Sequence, residues 1–289
     1  MGLGLGLTDQ DFGFEKVTKV KDLLPVLKER LPNSCNVINM AKNYHKFQNE
    51  MTFYILRAPR DTPNDDLWII VTYAREDYGI DINISAPRNL NFSAEFKTAL
   101  VTSGVIEWDE PFIFAATDAS ICNLIQDAVQ EATGKDPSAG ENLMFYASPQ
   151  YHPLVTQFSV RGSTIEVKPL DVNDGAKFLV ENWPFARTGS HAYVRKLIER
   201  NCSSGVYVDN RLVCGAALNG SGMITMLHTL PEFRHKGYAT LCMNYFVQTL
   251  FKDNLIPCCT VETTNIASIS LQRKIGLQVS HDVSYIPRS

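Results

Sequence analysis

The sequence predicts a mixed α/β protein built from two units of similar size. Strand-like runs alternate with helix-like segments along the 289 residues, the periodicity lapses near residue 155, and a new strand begins soon afterwards. Because 45% of the residues are hydrophobic, a chain of this length can bury more than one core. We therefore predict a flexible tail over 1–13, one unit over 14–155 and a second over 156–289.

The first unit begins with a helix-like segment. Its apolar residues recur at a helical spacing, at Val17, Val20, Leu24, Leu27 and Leu31. Pro25 places the start of the regular helix near it. Five runs then read as strands: MTFYILRA, LWIIVTYA, IDINISA, PFIFAAT and NLMFYAS. Helices are predicted over NFSAEFKTALVTSG, with Asn91 or Ser93 near its cap, and over DASICNLIQDAVQEATG, capped by Asp118 and ended by Gly134.

The second unit repeats the alternation. A strand over 164–169 precedes a helix over 171–182 with Asp171 as its N-cap, the loop WPFARTGS, and a helix over 190–201. Two strands, GVYVD and LVCGAALN, meet at a tight turn at Asn210. The remaining strands are MITMLHT, PCCTVETT and a last pair, LQVSH and VSYIP, and the last helix is NIASISLQRKIG.

The composition excludes several classes of function. With 27 basic and 31 acidic residues, the net charge of -4 leaves no broad cationic surface for nucleic acid or an anionic membrane. Seven scattered cysteines without C-x-x-C spacing argue against a disulfide framework and a zinc site. No apolar run approaches the roughly 18 residues that a membrane span needs, and no presequence pattern is visible. We expect a cytoplasmic protein with small-molecule partners and no metal.

The segment TLPEFRHKGYATLCMNYFVQTL raises the first functional hypothesis. A strand-like run leads into a turn with the pattern Arg234-x-x-Gly237-x-Ala239, and an amphipathic helix follows at once. The first turn of a helix has unpaired N–H groups and partial positive charge, so it is a natural anion site. Gly237 permits close approach of a phosphate, and Arg234 and Lys236 add positive charge. The alternative is a glycine kept for steric reasons alone.

A second motif lies about thirty residues beyond the turn. It consists of Asn265, Ser268, Leu271, Lys274 and Gly276 in NIASISLQRKIGL. Together the two motifs resemble the GNAT superfamily of acyl-CoA-dependent N-acyltransferases. VENWPFARTGSHAYVRKLIERN and GMITMLHTLPEFR are similar to the glycine N-acyltransferase-like family. The resemblance is specific from about Ser163 to the end, and in the first half it rests on the order of elements and on LLPVLKERLP.

The resemblance implies a GNAT fold in the C-terminal half and a degenerate GNAT-like copy, without a cofactor, in the N-terminal half. The fourth and fifth strands, 223–229 and 257–263, would splay apart to admit the pantetheine arm of acyl-CoA or acetyl-CoA. The acceptor would be a small amine, glycine or another amino acid, and a mitochondrial location is a further possibility. The residues implied for binding CoA are Leu227, Thr229, Leu230, Arg234, His235, Lys236, Gly237, Tyr238, Ala239 and Asn265.

The implied reaction is direct attack of an amine on the thioester carbonyl. A general base helps near neutral pH, and an N–H group of the fourth strand would stabilise the oxyanion. This sequence departs from the pattern twice. Gln272 stands where many GNAT enzymes have a tyrosine as general acid, a tolerable loss because a thiolate leaves readily. Met223 stands where glycine N-acyltransferases have an acidic base, and a thioether cannot be a base.

Substitutes for the base each have a structural alternative. His228 is either a catalytic base or a hydrogen-bonded strand histidine, and Glu262 acts through water or is a solvated carboxylate. His191, near the loop that would cover the acceptor, is a third candidate, and Trp183 in that loop is either a pocket wall or core. The pair Cys258-Cys259 is interpreted as small strand residues, because nothing indicates a lowered thiol pKa.

Three functions stay open at this point. The first is an acyl-CoA:amino-acid N-acyltransferase. The second transfers the acyl group to another amine or to a protein terminus. The third is an acyl-CoA-binding protein without activity, which Met223 and Gln272 both permit.

Overall fold

The computed structural model describes residues 13–57, 66–75, 79–148 and 164–288. The helices are α1 (Leu24–Glu29), α2 (Cys35–Phe47), α3 (Ser93–Thr102), α4 (Cys122–Thr133), α5 (Val172–Glu181), α6 (Ser190–Arg200), α7 (Tyr238–Lys252) and α8 (Ile266–Lys274). The strands are β1 (Gly13–Lys16), β2 (Met51–Arg57), β3 (Ile69–Ala74), β4 (Ile80–Ser85), β5 (Phe112–Asp118), β6 (Gly140–Tyr146), β7 (Ile165–Lys168), β8 (Ser203–Val208), β9 (Arg211–Leu218), β10 (Ile224–Thr229), β11 (Cys258–Glu262) and β12 (Gln278–Pro287). The expected boundary near residue 155 lies outside the described residues, as does the expected tail up to residue 12.

The strands form two sheets whose order shows an internal duplication. One sheet runs β1-β2-β3-β4-β5-β12-β6-β11 and the other β10-β9-β8-β7. β11 lies beside β10, so the two sheets follow one another as a single layer. In that layer every strand of the first half occupies the position opposite the strand six places later in the chain, β1 opposite β7 and β6 opposite β12. The two halves are therefore copies of one unit around a pseudo-twofold axis.

The two copies exchange their last strands. β6 belongs to the first half, yet it lies between β11 and β12, with Asn142 opposite Glu262 and Gly140 opposite Tyr285. β12 in turn lies between β5 and β6. The expected pair of final strands was wrong, because Gln278–Pro287 is one continuous strand whose register shifts after Val279 and after Ser284.

The fourth and fifth strands differ between the copies. In the first half β4 and β5 are hydrogen-bonded in parallel, with Asp81 opposite Ile113. In the second half β10 and β11 share no such pairing among the described residues. A bulge between Thr225 and His228 shifts the register of β10, and Met226 within it has a φ of 57°. The cleft between these strands is thus closed in the first half and open in the second.

Several local predictions are confirmed. Asp118 accepts a hydrogen bond from the backbone N–H of Ser120 at the start of a short 3₁₀ turn before α4, and Gly134 ends α4 with a φ of 69°. Asp171 caps α5 by accepting from the N–H groups of Asn173 and Asp174. Pro25 lies in the first turn of α1. These features depend on residues within one helical turn of each other, so the sequence alone was sufficient.

Helix α2 was missed by the sequence analysis. Its buried face carries Asn36, Asn39 and Asn43 among the apolar residues, so the face does not read as hydrophobic. Asn39 donates to the carbonyls of Gly222 (2.9 Å) and Ile256 (2.7 Å) and accepts from the N–H of Ile256 (2.8 Å). This side chain therefore fastens the first half to the second.

The helices pack on both faces of the layer. Residues of α1, α2, α5 and α6 share one apolar cluster, and residues of α7 and α8 share another. Within the described ranges, no helix is both long and apolar enough to cross a membrane.

Candidate functional site

A cavity of about 150 Å³ opens between the parted strands β10 and β11. Met226 and Leu227 of β10 line one wall, Thr260 of β11 the other, Gln272 comes from α8, and Tyr285 comes from the exchanged strand β12. With Met243 of α7, the cavity takes residues from five elements of the second half. It lies where the resemblance implies the pantetheine arm.

The turn at the end of β10 has the shape of an anion site. His235 has a φ of 61°, and Gly237, the N-cap of α7, has a φ of 84°, which favours glycine. Within the described part of the chain, the N–H groups of Lys236, Gly237 and Ala239 donate to no backbone carbonyl. They are therefore available to bind an anion at the turn that follows β10.

Two exposed cations flank this turn. The Nε of Arg234 donates to the carbonyl oxygen of Thr229 (3.1 Å), and the Nζ of Lys236 donates to the carbonyl oxygen of Glu232 (2.9 Å). Each bond uses one donor of its side chain, and the other N–H groups remain available for an anion. The turn combines backbone donors with positive charge, as a pyrophosphate requires.

The matching turn in the first half has the same backbone shape with different residues. Leu90 has a φ of 53° and Phe92, the residue before α3, has a φ of 61°, the same two-residue spacing as His235 and Gly237. Phe92 replaces the glycine. The amides of Asn89 and Asn91 donate to the carboxylate of Asp66 at 2.6 and 3.2 Å. This turn therefore has a phenylalanine in place of the glycine, and the carboxylate of Asp66 adds a negative charge beside it.

The ring of His228 on β10 faces α5. Its ring packs edge-on against Phe178 of α5, with 6.1 Å between the ring centroids. Burial, and secondly the charge of Arg234, lower the pKa of His228, so the ring is neutral at pH 7. Its Nε2 is buried and has no hydrogen-bond partner among the described residues. The imidazole thus has the protonation state of a base, but it does not line the cavity.

The other candidates for acceptor-side chemistry are spread apart. Glu262 is exposed at the end of β11 and does not line the cavity. His191 is exposed on α6. Trp183 is half-buried and stacks on Tyr193, with 6.5 Å between the ring centroids. The structure therefore does not bring these three residues into the cavity beside Leu227.

Both departures from the family pattern lie in the cavity wall. Met223 is 2% exposed and Gln272 is 3% exposed. The Oε1 of Gln272 has no hydrogen-bond partner within the described residues. An unpaired buried amide oxygen costs about 1–3 kcal/mol, so Gln272 lowers the stability of the fold at this position.

The remaining residues of the site have structural roles as well. The side-chain oxygen of Asn265 accepts from the N–H of Ser268 (3.1 Å) and caps α8, which leaves its amide N–H₂ available. Thr229 donates to the sulfur of Cys214 (3.2 Å). Burial raises the pKa of Cys259 to about 12, which agrees with its interpretation as a packing residue. Among the residues described, no cluster of three or more His, Cys, Asp or Glu side chains could hold a metal.

Sequence reasoning missed Tyr285 and Thr260. Both line the cavity, and their hydroxyl groups are 2.8 Å apart. Neither belongs to a recognisable motif. Tyr285 reaches the cavity because β12 lies close to β11 in the layer, with only β6 between them. The sequence does not reveal this strand order.

Comparison with known proteins identifies the fold. A family model described as FR47-like protein matches residues 205–286. A search of curated proteins finds no match. A solved Drosophila protein is 17% identical with a TM-score of 0.79, covering 96% of this chain and 99% of its own. A tandem GNAT protein from the clavulanic acid biosynthesis pathway is 10% identical with a TM-score of 0.55, covering 96% of this chain and 98% of its own. The chain has a tandem GNAT fold.

A third structure agrees with this assignment. The GCN5-related N-acetyltransferase from Sphaerobacter thermophilus is 12% identical, with a TM-score of 0.58, and the match covers 96% of this chain and 95% of that one. The GNAT fold thus extends over both halves. The expected fold class, with a GNAT-like N-terminal half, is confirmed.

Proposed function

We propose that this protein is an acyl-CoA-dependent N-acyltransferase whose C-terminal half binds the acyl donor. The observation that carries the proposal is the contrast between the two copies of the fold. β10 and β11 are parted over a cavity and a turn with unpaired amides follows β10, whereas β4 and β5 are paired and the turn after β4 has Phe92 in place of the glycine. This contrast supports a CoA site in the second copy alone.

The proposed donor lies along β10. The amides of Lys236, Gly237 and Ala239 and the side chains of Arg234 and Lys236 bind the pyrophosphate, and the main chain of Leu227, Thr229 and Leu230 follows the pantetheine arm. Asn265 donates its free amide hydrogens near the thiol end. The thioester then lies in the cavity beside Gln272.

The proposed reaction is attack of an amine on the thioester carbonyl, with glycine or another amino acid as acceptor. His228 is the proposed base, because it is neutral and its Nε2 has no partner in the described structure. Glu262, acting through water, is the alternative. The acceptor would approach from the α5–α6 side, between Trp183 and His191.

Two measurements test the proposal. Calorimetry with CoA should give one molecule per chain, and two per chain would show that the first half also binds. A free-thiol release assay with acetyl-, benzoyl- and longer acyl-CoA against a panel of amino acids should then show turnover. Turnover with other amines but with no amino acid would support an acyltransferase and would exclude an amino acid as its acceptor.

One observation favours a second function. The described residues that line the cavity include no carboxylate and no imidazole, and Met223 stands at the position expected for the base. An acyl-CoA-binding protein without activity would have such a cavity. Tight binding of acyl-CoA with no thiol release across the panel would identify this function.

A further inference from the structure

The cavity wall includes a pair of hydroxyl groups that keeps one proton for a ligand. The Oγ1 of Thr260 and the phenol oxygen of Tyr285 are 2.8 Å apart. Two hydroxyl groups carry two protons, and their mutual bond uses one of them. In the part of the chain that the structure describes, neither hydroxyl makes another hydrogen bond. The pair therefore offers one O–H donor to the cavity.

A free O–H donor in a cavity wall is complementary to a ligand that carries an acceptor. The proposed acyl donor is such a ligand, because its pantetheine arm ends in a thioester.

The reactive end of this ligand would lie at the hydroxyl pair. The anion-binding turn follows the end of β10, and Met223 precedes its start. An arm that enters from the turn extends along β10 towards Met223. It therefore carries its sulfur into the part of the cavity that Thr260 and Tyr285 line.

We propose that Tyr285 donates a hydrogen bond to the sulfur that leaves during acyl transfer, while Thr260 donates to the phenol oxygen. This inference rests on the proposed acyl-transfer function. Tyr285 is the donor to sulfur because a phenol is more acidic than an alcohol and binds a developing anion more strongly. Gln272 cannot release a proton, so it does not replace a phenol.

The step balances without transfer of the phenol proton. The nitrogen lone pair forms the C–N bond, the C–S bond breaks, and its electron pair stays on sulfur. The amine proton goes to the base. Burial raises the pKa of Tyr285 to about 12, above the roughly 8.5 of a thiol, so the phenol stays protonated and the thiolate takes its proton from water.

The test compares Tyr285→Phe with the whole protein, because phenylalanine keeps the packing and removes the donor. We expect kcat to fall by about 10- to 100-fold, the effect of one hydrogen bond to a developing charge, with KM for acyl-CoA within about twofold of the original. Thr260→Val should give a smaller loss. Tyr54→Phe, a partly buried tyrosine of β2 outside the cavity, is the matched control and should leave kcat unchanged.

A second readout does not depend on turnover. The absorbance of the CoA thiolate, followed against pH, gives the pKa of the bound thiol. The pKa of the bound thiol should be about one to two units lower in the original protein than in Tyr285→Phe. This difference corresponds to the factor of about 10 to 100 expected for kcat. A change in kcat under threefold together with an equal thiol pKa would overturn the role of Tyr285 and leave the acyltransferase proposal standing. Failure of the unmodified protein to bind CoA would overturn the acyltransferase proposal, and this inference with it.

Discussion

At the residue scale, the two matching turns differ most at one position, which is Phe92 in the first half and Gly237 in the second. Leu90 and Phe92 in the first half have the same left-handed backbone as His235 and Gly237 in the second. The backbone shape alone therefore does not make an anion site. The glycine matters because a side chain at its position would stand where a phosphate must approach the amides.

We expect Gly237→Val to weaken CoA binding by about a hundredfold or more. Two charge-assisted hydrogen bonds of roughly 1.5–3 kcal/mol each would be lost. At a φ of 84° a valine is also strained, by roughly 1–2 kcal/mol, so some stability is lost as well. Calorimetry with CoA and thermal melting measure the two effects separately.

Gly189→Val is the matched control for this strain. Gly189 is the N-cap of α6, with a φ of 85°, and lies outside the CoA turn. It should lower the melting temperature by a similar amount and leave CoA affinity unchanged. A folded Gly237→Val protein with full CoA affinity would show that the turn has only a structural role.

His228→Ala should lower kcat by roughly 100-fold, the lower end for loss of a general base, with CoA affinity nearly unchanged. The lowered pKa of His228 gives a second signature. The neutral ring is the base, so the rate of the original protein should fall as pH drops through a pKa below 6.5, and the variant should lack this acid limb. Equal rates of the original protein and the variant from pH 6 to 9 would show that His228 has a structural role. Glu262 would then be the better candidate for the base.

At the scale of elements, the sequence predicted the features that depend on near neighbours. The caps at Asp118 and Asp171 and the turn at Gly237 were found because their patterns span a few residues. Helix α2 was missed because its buried asparagines bond to groups far away in the sequence, more than 180 residues away for Asn39. No local pattern reports such partners, and the same holds for the place of Tyr285 in the cavity.

Asn39→Leu tests how strongly α2 joins the halves. Leucine has a similar size but leaves the carbonyl and the N–H of Ile256 without their partner, while the carbonyl of Gly222 keeps only the thiol of Cys258 (3.4 Å). At roughly 1–3 kcal/mol for each of the two unsatisfied groups, we expect a loss of about 2 kcal/mol or more in the free energy of unfolding. Urea titration measures it.

A comparison with Asn36→Leu makes this result specific. Asn36 lies one turn earlier on α2 and donates to the Oδ1 of Asn83 (3.0 Å). With fewer backbone groups involved, its loss should be smaller. Equal losses would mean that removing any buried asparagine from α2 lowers the stability by this amount. The contact of Asn39 with the second half would then have no special role.

The whole molecule depends on the exchange of β6 and β12. β6 is hydrogen-bonded to β11 on one side and to β12 on the other, so the C-terminal half lacks the central strand of its own sheet. The expected division into 14–155 and 156–289 remains a prediction about the linker. It does not describe two separable sheets. Duplication has produced one layer in which each copy completes the other.

We therefore expect residues 164–289, expressed alone, to form neither a stable fold nor a CoA site. Without β6, strands β11 and β12 have unpaired edges, which favour aggregation, and the wall of the cavity that holds Thr260 and Tyr285 loses its support. Co-expression with residues 1–148 should restore CoA binding, because that fragment supplies β6 and receives β12. Deletion of residues 1–16 is the control: it removes β1, an edge strand paired only with β2 among the described residues, and should leave CoA binding intact. Solubility, thermal melting and CoA calorimetry decide the outcome. A cooperative melt with full CoA affinity for 164–289 alone would show that the second half is complete without β6.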